Sequence, residues 1–194
     1  MTKVLVKPDG NCLFNCASLA VEGSQDDPMG LRKQVAAHML SKPQVFNVQE
    51  LGKDPKKYTD WLTSGPEAWG GIPELKALSE IYEVEFGVVV IQDLEVLLFG
   101  HGQGRTERVY VLFDGTHYNL AVHEWMQGSQ IAKFNPKDEA AYQGCLELAK
   151  DCKEKMNFVD PAVFSLICMQ CNRGLIGQIY AVEHAQKTGH TDFK

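Results

Sequence analysis

The sequence predicts an α/β (α+β) architecture, a small mixed sheet flanked by helices with a C-terminal ββα metal module, on three observations. Apolar residues at helical spacing run through residues 12–82. Short β-branched and aromatic runs fill residues 86–122, and a Cys-x2-Cys pair followed by two histidines stands near the end. The 194 residues suffice for one catalytic-sized domain and one small module, placed at 1–156 and 157–194 with the boundary in the Asn157–Pro161 stretch. Hydrophobic residues at 44% and charged residues at 23% are the mix of a chain that buries a core.

The elements follow in order. Val4-Leu5-Val6 is a strand, and Pro8-Asp9-Gly10-Asn11 is a turn that opens a helix from Cys12 to Val21, stopped by Gly23-Ser24. Leu31, Val35 and Met39 form the apolar stripe of a second helix, with Arg32, Lys33 and Gln34 off that stripe. Residues 43–65 are polar and irregular, with one helical turn at Tyr58–Leu62. Pro73 suits the first turn of a third helix whose stripe is Leu75, Leu78 and Tyr82. Strands follow at 86–91, 96–99 and 109–113, and Asp114-Gly115 turns the chain into a returning strand at 117–122. Gly100, Gly102 and Gly104 lack the spacing and the following helix of a phosphate-binding turn. Residues 140–155 are helical.

Charge and apolar runs exclude whole classes. A net charge of −6, from 19 basic and 25 acidic residues, argues against a surface that tracks nucleic-acid phosphates. The longest apolar stretch is far short of the roughly 20 residues that cross a bilayer, and no leader segment opens the chain, so a soluble protein without a membrane span is expected. Six cysteines without a signal segment, two of them in a metal-type pair, point to reduced thiols and a cytoplasmic or nuclear setting.

Cys12 stands where a glycine-containing turn meets a helix start, where unpaired N–H groups and the positive dipole end favour a thiolate. The N–H groups of Gly10, Asn11 and Cys12 would receive an oxyanion from the same loop. Cys16, a turn further on, reads as core. Of six histidines, His117 is the best partner: it follows the Asp-Gly turn, and strand alternation sets Asn119 on its side, ready to orient the imidazole. His38 falls among apolar helix residues, His101 sits in the glycine loop and His123 at a strand end.

Asp9-Gly10-Asn11-Cys12-Leu13-Phe14, Trp69-Gly70-Gly71 ahead of Glu74-Leu75, and His117-Tyr118-Asn119 together resemble the ovarian-tumour (OTU) family of cysteine deubiquitinases, in order and spacing from residue 3 to about 125. The resemblance implies a papain-like OTU protease fold, Cys12 as nucleophile, His117 as general base, and Asp9 and Asn119 as further catalytic-site residues, with their relative weight open. It implies cysteine-dependent hydrolysis at the C-terminal glycine of ubiquitin, with ubiquitin and polyubiquitin chains as partners and no cofactor for catalysis. Trp69 is expected to anchor the following helix, and Gly70-Gly71 to admit a substrate tail closely. The terminal finger narrows the likeness to the subfamily that works with an AAA unfoldase in the degradation of misfolded endoplasmic-reticulum proteins. Relatives there dock the unfoldase through a ubiquitin-like domain, which has no counterpart ahead of the Cys12 loop in the sequence given.

Cys168 and Cys171, then His184 after twelve residues and His190 after five more, fit the Cys2His2 template for a closed structural Zn²⁺ site. Leu175 and Ala181 would fill the interior, and a helix from Gln178 would present the histidines. The base-reading positions of such a helix fall on Gly177, Tyr180 and Glu183, unsuited to DNA. Two other classes stand beside the enzyme: a catalytically silent ubiquitin-binding module and a zinc-finger nucleic-acid binder.

Overall fold

The computed structural model describes residues 1–125, 129–155, 165–176, 184 and 188–190. After strand β1 (Thr2–Val4) the chain turns through residues 5–11 into helix α1 (Cys12–Glu22), which Gly23 ends in the left-handed conformation with its N–H on Leu19 O. Helix α2 (Pro28–Ser41) begins ahead of the apolar stripe because Asp27 caps it, accepting from Gly30 N at 2.7 Å, with Pro28 in the first turn. The polar stretch predicted to hold one turn instead holds two helices, α3 (Val48–Leu51) and α4 (Pro55–Leu62). Each starts at a side-chain cap, Asn47 and Asp54, that replaces the missing apolar periodicity. Helix α5 (Ile72–Tyr82) opens with Glu74 accepting from Gly71 N at 2.7 Å.

Strands β2 (Glu85–Val90), β3 (Glu95–Phe99), β4 (Arg108–Phe113) and β5 (Tyr118–Glu124) join β1 in the order β1-β5-β4-β2-β3. The β2–β4 pair is parallel and the rest are antiparallel, so the sheet is mixed. Two short strands, β6 (Gln130–Ile131) and β7 (Lys133–Phe134), extend β5 and β4. The central strands read as unbroken apolar runs because both faces are covered. Phe86, Val88, Val109, Val111, Leu120 and Val122 pack in the cluster formed with α1, α2 and α5. Val89, Tyr110, Leu112 and Ala121 alternate onto the other face, against Ala141, Cys145 and Ala149 of helix α6 (Glu139–Glu154). The returning strand starts one residue later than predicted, which leaves His117 in the turn before it.

A buried ion pair pins the β2–β4 register. Glu85 pairs with Arg108 across the two strands, Arg108 Nε donating to Glu85 Oε2 at 2.8 Å and Nη1 to Tyr110 Oη at 3.1 Å. Both side chains are shut off from solvent. Near the C-terminus, β8 (Ser165–Ile167) and β9 (Gly174–Ile176) form an antiparallel hairpin. The proposed domain boundary, the finger helix from Gln178 with Ala181, the side chain of Leu175 and the positions Gly177, Tyr180 and Glu183 lie outside the described residues.

Replacing Arg108 by Met strands the Glu85 carboxylate in the core and is expected to cost about 3–5 kcal/mol in urea unfolding. The double replacement Glu85→Leu/Arg108→Met is expected to recover most of that loss. A single variant as stable as the parent would overturn the assignment of the pair as a coupled unit.

Candidate active site and Cys/His cluster

The turn before α1 is built to leave a half-buried sulfur at a helix mouth. Gly10 adopts φ +76°, and a Cβ there would lie 2.1 Å from Pro66 O, so both conformation and space demand glycine. Asp9 Oδ1 accepts from Asn11 N at 2.9 Å and from Asn15 Nδ2 at 3.2 Å. Asn11 precedes the helix, but its side-chain carbonyl does not cap it; it accepts from Arg32 Nε at 2.8 Å. Cys12 is then the first helical residue, and no oxygen among the described residues accepts from its N–H or from that of Gly10.

The opposite wall comes from the 114–117 turn. Asp114 Oδ1 accepts from Thr116 N at 3.0 Å and His117 N at 2.7 Å, and Asp114 N donates to His117 O at 3.2 Å. Tyr118 N–H, the amide that follows His117, faces the Cys12 sulfur. Cys12 and His117 share a groove of about 150 Å³ with Pro8, Gly10, Trp69 and Thr116.

Several expected roles are redistributed. Asn119 is buried, and its Oδ1 accepts from Val6 N at 3.1 Å, tying β5 to the strand that leads into the Cys12 loop. Neither it nor Asp9 hydrogen-bonds the His117 ring: one carbonyl is taken by backbone, and the Asp9 carboxylate is turned into its own loop. The Asn11 N–H, counted among the oxyanion donors, is spent on Asp9, which leaves those of Gly10 and Cys12. Trp69 is no buried anchor; it is 58% exposed and lines the groove. A Cβ on Gly70 would meet Leu13 Cδ2 at 2.9 Å, so that glycine serves the packing of α1. Cys16 is fully buried, and His38 is satisfied by Glu80 at 2.7 Å, both as expected.

The electrostatics also differ from expectation. Burial pushes the Cys12 thiol above its ordinary pKa, helped by the nearby Asp9 charge, against the lowering effect of the Tyr118, Leu13 and Cys12 N–H groups. Partial desolvation outweighs those N–H groups. Three unforeseen polar residues sit behind the loop: Arg32, Tyr58 and Glu74 are buried, Tyr58 Oη donating to Glu74 Oε1 at 2.7 Å. Burial raises the Glu74 carboxyl, and the Gly71 N–H, the Tyr58 hydroxyl and the Arg32 charge oppose that rise. The signal for Arg32 was present: residues 32, 35, 36 and 39 share one face of α2, and all are buried.

At the C-terminal hairpin, Cys168, Cys171, His184 and His190 converge, their ligand atoms all within 4.8 Å of one another. Cys168 Sγ lies 3.6 Å from His190 Nδ1 and Cys171 Sγ 3.4 Å from His184 Nε2. Edges of about 3.5 Å are what a tetrahedral centre with 2.3 Å sulfur and 2.0 Å nitrogen bonds requires, so the four donors fit zinc.

A raised thiol pKa has a sign that can be checked. Iodoacetamide alkylation that is lost in Cys12→Ser is expected to accelerate about tenfold per pH unit from roughly pH 6 to pH 8, because the thiolate is the reacting form. A rate already level at pH 6 would overturn the raised assignment.

Comparison with known proteins places the chain. The family described as OTU-like cysteine protease matches residues 7–118, and the C-terminal C2H2-type zinc finger of ubiquitin thioesterase OTU1 matches residues 162–194. Ubiquitin thioesterase OTU1 of Gallus gallus is 35% identical over 199 residues, covering 100% of this chain and 65% of the relative. The Homo sapiens protein of that name is 34% identical over 198 residues, covering 100% of this chain and 57% of the relative. The chain thus spans about three-fifths of the length of these relatives. A solved ovarian-tumour (OTU) domain in complex with ubiquitin superposes with a TM-score of 0.73 at 26% identity, over 81% of this chain and 90% of that one. The OTUD1 OTU domain, at 21% identity and a TM-score of 0.54 over 61% of this chain and 83% of that one, shares the fold. With the paired Cys12 and His117 walls at its centre and a family match that spans both, the chain belongs to the OTU-like cysteine proteases.

Proposed function

We propose that the protein is a deubiquitinase that hydrolyses the bond at the C-terminal glycine of ubiquitin, in polyubiquitin chains. The observation that carries this reading is the shared groove: Cys12 at the mouth of α1, His117 across from it, and N–H groups on the same loop that donate to no oxygen among the described residues. The Cys12 thiol passes its proton to His117, and the thiolate attacks the glycine carbonyl carbon. The carbonyl oxygen becomes an oxyanion received by the N–H groups of Gly10 and Cys12. On collapse the C–N bond breaks and His117 protonates the departing lysine amine, leaving a thioester on Cys12. His117 then takes a proton from water as its oxygen attacks the thioester, and ubiquitin leaves as a carboxylate with Cys12 restored.

Trp69 and the narrow groove favour a slender, side-chain-poor tail, and the solved relative that holds ubiquitin supports that substrate class. Asp114 and Asn119 serve as positioning residues, one for the His117 backbone and one for the strand before the loop. The Cys168, Cys171, His184 and His190 cluster holds a structural Zn²⁺; zinc supplies folding energy there, and all four ligands are protein side chains. Quality-control degradation in the cytoplasm or nucleus, beside an AAA unfoldase, is the proposed setting, which six cysteines outside any disulfide support.

Purified protein is expected to cleave diubiquitins and Cys12→Ala to lose more than about 10³-fold in kcat. A Cys12→Ala variant that cleaves like the parent would overturn the reading. Dialysis against a strong chelator is expected to release about one zinc ion per chain, measured by elemental analysis, together with chemical-shift collapse around Cys168 and Cys171. Retained shifts after complete metal loss would overturn the structural role.

A further inference from the structure

We propose that Arg32 is a positioning residue for the oxyanion-binding loop: its buried guanidinium locks the Gly10–Asn11 peptide so that the Gly10 and Cys12 N–H groups stay aimed into the groove. Arg32 has no exposed surface at all. Its Nη2 donates to Gly10 O at 2.9 Å, Nε to Asn11 Oδ1 at 2.8 Å, and Nη1 to Leu62 O at 3.0 Å and to Ala68 O. The Phe14 ring covers the guanidinium at 4.4 Å.

The geometry of one peptide unit makes the argument. In a trans peptide the carbonyl and the following N–H point in opposite directions. Arg32 holds the Gly10 carbonyl on one side, and Asp9 Oδ1 holds the Asn11 N–H at 2.9 Å on the other. The plane is gripped at both ends. It needs that grip because Gly10, at φ +76°, is the residue of the loop with the widest conformational freedom, and rotation of this plane would re-aim the amides beside it. The same cation also bonds Leu62 O and Ala68 O, at the ends of the segment that leads to Trp69. One side chain therefore ties together two walls of the groove. Four oxygens suit the five donors of a guanidinium fork, and a lysine ammonium with three donors cannot meet them all.

This inference rests on the deubiquitinase reading. The experiment compares wild type, Arg32→Lys and Asp9→Asn on a fluorogenic ubiquitin C-terminal amide, with iodoacetamide alkylation of Cys12 and affinity for ubiquitin C-terminal aldehyde measured alongside. For Arg32→Lys, kcat is expected to fall about 10²-fold with KM within about threefold, as when an oxyanion donor is lost. Aldehyde affinity should weaken by a comparable factor, because the thiohemiacetal oxygen uses the same N–H groups. Alkylation forms no oxyanion and should stay within about threefold of wild type. Asp9→Asn, which loosens the opposite grip, should show the same losses in kcat and aldehyde affinity at smaller amplitude, with alkylation unchanged or faster because the Asp9 charge no longer opposes the thiolate, and carries the test should Arg32→Lys not fold. A parental kcat in the variants, or alkylation falling in step with kcat, overturns the positioning role. A wild-type protein inert toward the ubiquitin amide overturns the deubiquitinase reading itself, and this inference with it.

Discussion

A buried guanidinium facing four oxygens is the constraint on which the site depends. The chain must leave regular structure between β1 and α1 to present a sulfur at a helix mouth, and irregular backbone inside a protein strands polar groups that cost more unpaired than they return when paired. Arg32, Asp9 and Asn119 together settle that account for the loop: one takes its carbonyl and the Asn11 side chain, one takes its inner N–H, and one takes the Val6 N–H just before it. The amides that donate to no oxygen among the described residues are what chemistry would use.

The Cys12 environment balances opposing influences. Three N–H groups stabilise the thiolate, burial and the Asp9 charge penalise it, and burial wins. A raised thiol fits a mechanism in which the imidazole takes the proton as substrate arrives. Glu74 and Tyr58 extend the buried polar network behind the groove. Their hydrogen bond holds α4 to α5 through groups that an apolar stripe alone would not have selected.

Much of this was legible in the sequence. Strands β2 to β5 stood out as β-branched runs because the sheet is covered on both faces, and α1, α2 and α5 by their stripes. Cys12, His117 and the four Cys/His positions were legible from residue type and spacing, because the structure brings each set together. Other features resisted because they are non-local or break a rule of thumb. The Val6–Asn119 bond joins residues 113 apart, and no local pattern marks it. Arg32 falls off the Leu31, Val35 and Met39 stripe, and charged helix residues usually face water, so its burial with Val35, Ala36 and Met39 goes against the rule. Helix α3 and the first turn of α4, ahead of the helical turn expected at Tyr58–Leu62, resisted because their caps carry the signal that their composition lacks.

A thiol raised by burial has a consequence toward oxidants. Peroxides oxidise thiolates far faster than thiols, so an enzyme that ionises its nucleophile in advance stands exposed to sulfenic acid formation during every idle interval. Here the burial that raises the Cys12 thiol favours the form that peroxides attack more slowly.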